Sequence, residues 1–178
     1  MRLSRSGLLF VACTAATACS PTFDWREARP ADGVTALFPC RPDHHTRQVA
    51  IAGAAVPMQL SSCAAGDITF AVSQVDVSDV AGVTPLMHAL RNALLVNVGS
   101  QMAAGTAAET VTAHVPGATP HPLMERLSVR GQRADGSPLE AQGQFFCKGL
   151  RVYQATVVGR RLDAAAMDVF FSSLKLMP

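Results

Sequence analysis

Three consecutive alternating segments joined by tight turns constrain this chain more than anything else in it. Leu123 to Gly131 turns at Asp135-Gly136 into Leu139 to Cys147, which turns at Lys148-Gly149 into Leu150 to Val158. Asp-Gly between segments of alternating polarity is a strong hairpin signal, because glycine supplies the positive φ that tight turns need. A meander of three antiparallel strands is expected, and the remaining elements must arrange themselves around it.

Gly33 to Pro39 reads as a short strand stopped by proline. Thr46 to Ile51 and Val56 to Ser62 flank Ala52-Gly53-Ala54-Ala55, a second hairpin. Asp67 to Val77 alternates and breaks phase near Ser73-Gln74, which suggests a bulge. Thr84-Pro85 opens a helix with a hydroxyl at the N-cap and proline at N1, the first helical position. Leu86, Leu90, Leu94 and Val98 continue its apolar stripe until helicity fades near Gly99 to Gly105. Thr110 to Val115 adds a strand before a Pro/Gly/His loop. A last helix is capped by Asp163, with Leu162 stapled to Met167 and an apolar face of Met167, Phe170, Phe171 and Leu174. This order implies an α+β domain, a mostly antiparallel sheet with helices covering its faces.

The N-terminus carries an address. Arg2 and Arg5 precede an apolar run from Leu8 to Ala18, the pattern of a secretory signal and too short to span a bilayer. Ala16-Thr17-Ala18-Cys19 resembles the lipobox of bacterial lipoproteins, with Ala16 where that family usually has Leu. The resemblance implies a signal peptide over residues 1–18 and a lipidated Cys19. A plain secretory cut after Ala18 is the alternative, and Cys13 is a competing site. Buried acyl chains contribute about 0.8 kcal/mol per CH₂, so several hold firmly where one does not. Ser20 follows the cysteine, with no Asp to retain the protein at the inner membrane, so the resemblance points to the outer membrane, facing the periplasm. Residues 19–33 read as lipidated N-terminus and tether, with Phe23 and Trp25 able to pack back, and residues 34–178 as a single α+β domain.

Loss of the leader changes the charge. The chain has 15 Lys plus Arg against 13 Asp plus Glu, and without Arg2 and Arg5 the two are equal. Only Arg160-Arg161 are adjacent bases. Nucleic acid as a partner is therefore not expected, because it needs clustered cations.

The middle of the chain carries a second resemblance. Leu37-Phe38-Pro39 before a hairpin, a mid-chain helix, Arg151-Val152-Tyr153-Gln154-Ala155 and a closing Phe170-Phe171-Ser172-Ser173-Leu174 are similar to small PsbP/Mog1-like α/β/α sandwich domains. Asp24-Trp25-Arg26-Glu27 after the cysteine resembles uncharacterised lipoproteins of Gram-negative bacteria. These resemblances imply a fold and a compartment, and bring no catalytic residues.

Cys40, Cys63 and Cys147 remain in an oxidising compartment, so one internal bridge at most can form. A hairpin turning near Gly53 brings Cys63 opposite the residues just past Cys40, which favours Cys40–Cys63; Cys63–Cys147 is the rival. Cys147 would otherwise be a small buried hydrophobe, and a Cys-His nucleophile built on it has no support in spacing. His44-His45 beside Asp43 is the most tempting metal pair, yet neighbours on an extended segment face opposite ways. His114 and His121 flank the proline loop, and His88 sits on the helix rim. Gly-x-Ser-x-Gly, Cys-x-x-Cys, P-loop and Rossmann patterns are absent. The expectation is a lipid-anchored envelope protein without enzymatic activity, cofactor or resident metal, serving as a binding, accessory or structural module that offers a sheet face or groove to an envelope protein partner or another envelope component. The alternative is a periplasmic small-ligand or metal carrier using His44, His45 or the His114–His121 loop.

Overall fold

A computed structural model describes residues 22–51, 54–99 and 108–177. The expected leader, Cys19, the expected hairpin tip at Gly53 and residues 100–107, where helicity is expected to fade, lie outside the described residues. The described strands are β1 (Arg26–Ala31), β2 (Val34–Phe38), β3 (Asp43–Ile51), β4 (Ala54–Ala65), β5 (Ile68–Asp76), β6 (Glu109–Thr112), β7 (Glu125–Gln132), β8 (Pro138–Lys148), β9 (Arg151–Gly159) and β10 (Lys175–Leu176). Two α-helices accompany them, α1 (Val83–Gly99) and α2 (Ala164–Ser173).

Every described strand pairing is antiparallel. One sheet has seven strands in the order β3-β4-β5-β9-β8-β7-β6, and the other has three, β1-β2-β10. The expected meander is β7-β8-β9, with Gly136 and Gly149 both at positive φ in its turns.

The expected helix-covered α+β sheet, the α/β/α sandwich, is overturned. The protein is β-rich: 51% of the described residues lie in strands and 20% in helices, split between two sheets and only two short helices. The reason lies partly in residues expected to form a tether. Arg26–Ala31 pairs with β2, and the last residues, Lys175–Leu176, close the same small sheet. Phe23 and Trp25 pack edge-on against Phe70, with ring centroids 6.2 and 5.9 Å away. A second sheet thus takes up surface that helices were expected to cover.

Strand alternation divides the core in two. Phe70, Val72, Phe146, Tyr153, Ala155 and Val157 face the small sheet and α2, meeting Phe38, Phe170, Phe171 and Leu174. Val75, Phe145, Cys147, Val152, Leu127 and Val129 face the opposite way and bury the stripe Leu86, Leu90, Leu94, Val98 of α1. A central strand must then be apolar on both sides. β5 is buried from Phe70 through Val75, and its registers with β4 and β9 run unbroken. The phase break near Ser73-Gln74 is two-sided burial rather than a bulge.

Helix starts follow capping chemistry. Asp163 accepts from the Ala166 N–H and opens α2 as expected. α1 begins at Val83 after a 3₁₀ turn, Val80–Gly82, whose N-cap is Asp79. Thr84 is therefore inside the helix rather than its cap, and Pro85 is the third helical residue rather than the first, still within the turn where its missing N–H has no intrahelical partner to lose.

Candidate functional site

The disulfide is Cys40–Cys63. β3 pairs with β4 from Asp43↔Ser62 to Ile51↔Ala54, which brings Cys63 beside the residues just past Cys40, and the two Cα atoms are 6.0 Å apart. The rival Cys63–Cys147 is not formed. Cys63 belongs to the core under the small sheet, and Cys147 to the core under α1. The sheet itself separates them.

Cys147 is a buried free thiol, 2% exposed. Burial pushes its pKa up. This is the reverse of what a nucleophilic cysteine needs, since the thiolate is the reactive species. Its nearest polar partner is the Thr119 carbonyl oxygen, 3.9 Å from Sγ.

The histidines are kept apart by their elements. His44 and His45 follow one another on β3 and so point to opposite faces. His44 Nδ1 lies 2.7 Å from Ser61 Oγ, and the Ser61 hydroxyl donates to the Pro30 carbonyl oxygen. With that proton committed, Nδ1 of His44 is the donor of the pair. Ser61 is 1% exposed. A Ser–His nucleophile needs the opposite polarity and an accessible hydroxyl, so this contact anchors β1 onto β4 and activates nothing.

His121 folds back onto its own loop. Its Nδ1 accepts from the Leu123 N–H at 3.1 Å, and Nε2 lies 3.0 Å from Thr84 Oγ1. The ring fastens the loop to the start of α1. His114 and His88 are exposed. Among the described residues no group of three His, Cys, Asp or Glu side chains could hold a metal ion.

Two features emerge that single-segment patterns did not reveal. The first is a groove of about 400 Å³ between the end of β5 and the start of α1, lined mainly by Val56, Val75, Val77, Pro85 and Leu86. Asp76, Ser78 and Gly82 also line it, and Val80, between the last two, is 76% exposed. No local pattern could locate it, because it is assembled from three separated segments. The second is Arg126. Its guanidinium stands 4.3 Å from the Phe171 ring centroid, and its Nε donates to Gln144 Oε1 at 3.0 Å. Burial holds the Arg126 pKa below its usual value, with Asp168 opposing. Gln144 is 1% exposed, and among the described residues its Nε2 has no partner.

Among the described residues no helix is long and apolar enough to cross a membrane. The chain matches no protein-family model and no curated protein sequence.

Proposed function

We propose that this chain is a lipid-anchored protein of the bacterial envelope, held at Cys19, that binds a partner protein through the groove at the start of α1. One observation carries the reading. Val56, Val75, Val77, Pro85 and Leu86, with Asp76 at one side, form a mainly apolar recess beside the exposed Val80. Exposed apolar surface next to a recess favours contact with an apolar side chain of a partner over contact with water. The leader and the Ala16-Thr17-Ala18-Cys19 segment support the anchor.

The test uses the full chain in intact cells with a photo-crosslinking residue at Val80. The expected result is an adduct with one envelope protein, weakened when Val56→Asp places a charge in the groove. Cys19→Ala should move the chain out of the membrane fraction. Crosslinking at Val80 no different from that at exposed Leu150 rejects the groove, and a membrane-held Cys19→Ala product rejects the anchor.

A further inference from the structure

Among the described residues β3 is an edge strand, with no strand beyond it in the sheet, and residues 43–48 are exposed. Nine residues make a long open edge, the kind natural proteins usually shorten, cover or pair. Two residues separate the Ile51↔Ala54 pair, which in a tight hairpin is hydrogen-bonded. The alternation of an antiparallel ladder then turns the backbone N–H and C=O groups of His44, Thr46 and Gln48 away from β4. They are open to water or to a further strand.

The side chains say which strand. Asp43, His45 and Arg47 share one face of β3. Among the described residues neither Asp43 nor Arg47 makes an ion pair. Four steps of extended chain hold them about 13 Å apart, too far to meet each other. Antiparallel pairing of β3 with the β3 of a second copy, centred on His45, sets Asp43 of each chain opposite Arg47 of the other. His44 then lies opposite Thr46, the pair whose backbone groups point outward, so one register satisfies the ladder and the charges together. Neighbouring registers with the same backbone parity do not. Centring on Thr46 sets Asp43 against Val49 and Arg47 against His45, while centring on Arg47 opposes two guanidinium groups. Pro42, which lacks an N–H, ends the ladder on each side.

We propose that the chain pairs with a second copy of itself through β3, with two Asp43–Arg47 ion pairs flanking a His45–His45 centre. Exposed ion pairs contribute little each, and the overlap is short beside the roughly 1,600 Å² of a standard interface. Association is therefore weak, and a covalent trap reads it better than a size measurement.

His45→Cys supplies the trap. Directly opposed residues that do not exchange ladder hydrogen bonds have Cα atoms about 4.5 Å apart, within disulfide range. Arg47→Cys sets the two cysteines about 13 Å apart along the strands and serves as the control. In the purified full chain under a copper-phenanthroline oxidant, His45→Cys should form the doubled-mass product at least tenfold faster than Arg47→Cys. Adding Asp43→Arg should slow trapping at least fivefold, and adding Arg47→Asp to that variant should restore it. These positions are exposed on the edge, so the swaps leave the core untouched. Equal rates at 45 and 47, or no recovery by the double swap, would each overturn the proposal.

Discussion

The Tyr153 hydroxyl donates to the Asp32 carbonyl oxygen at 2.9 Å, joining a central strand of the large sheet to the β1–β2 turn of the small one. The ring is 1% exposed and stacks on Phe146 with centroids 5.2 Å apart. Tyr153→Phe keeps that packing and removes the donor, while Asp32 sits in an exposed turn where water can replace it. The expected cost is about 1 kcal/mol, read from urea midpoints at pH 7.

The same hydroxyl should make stability fall in alkali. Burial raises the Tyr153 pKa in the folded chain, whereas in the unfolded chain it ionises near its ordinary value of about 10. As pH rises past that value the unfolded state loses its proton first, so stability declines from there through the folded pKa. Tyr153→Phe should flatten this decline above about pH 10, in unfolding curves taken at pH 9 and 10.5. An unchanged slope would assign the alkaline loss to another group.

Reducing the Cys40–Cys63 bridge frees a loop with a sequence separation of 23. Chain entropy alone assigns such a loop about 3 kcal/mol. Cys40→Ser/Cys63→Ser should lower stability by about that amount, or lower the Tm by several degrees. Cys147→Ala should leave the bridge intact, because Cys147 lies on the other face of the sheet. In the native protein Cys147 should resist iodoacetamide and react only after unfolding.

How much of this was legible in the sequence depends on the range of each interaction. The β7-β8-β9 meander follows from period-two alternation and turn glycines, which act over a few residues. The Cys40–Cys63 bridge follows from one hairpin register. The small sheet was not legible, because β1 lies in a stretch of charge and proline and β10 is two residues long. Those strands exist only because β2 pairs with both. The α1 cap was missed for a related reason: Thr84-Pro85 carries a textual start signal, but Asp79 captures the Gly82 N–H one turn earlier. The groove depends on where separate strands and α1 come together, which no single segment encodes; Arg126 and Gln144 are opposed in the β7–β8 register, but the Phe171 ring that covers Arg126 comes from α2.

Arg126 and Gln144 should behave as a pair. Arg126→Met leaves the buried Gln144 amide without its one side-chain partner and should cost about 2 kcal/mol. Replacing both, Arg126→Met/Gln144→Leu, removes the stranded polar group and should recover at least half of that loss. A double variant as unstable as the sum of the two singles would mean that the packing of Arg126 on Phe171 matters more than the hydrogen bond.

Gly131 separates space from flexibility. A Cβ built at Gly131 would run into the Val98 backbone carbonyl of α1, whereas one at Gly143 would meet the end of the Leu94 side chain. A leucine tip can rotate away, but a helix carbonyl moves only if the helix moves with it. Gly131→Ala should therefore push α1 off β7 and cost about 3 kcal/mol, at the upper end for overpacking, while Gly143→Ala should cost about 1 kcal/mol. Hydrogen exchange on Leu90 to Val98 distinguishes the mechanism from a loss of strand stability. Exchange should quicken along α1 in Gly131→Ala and stay near wild type in Gly143→Ala, because only the first change acts through the helix backbone.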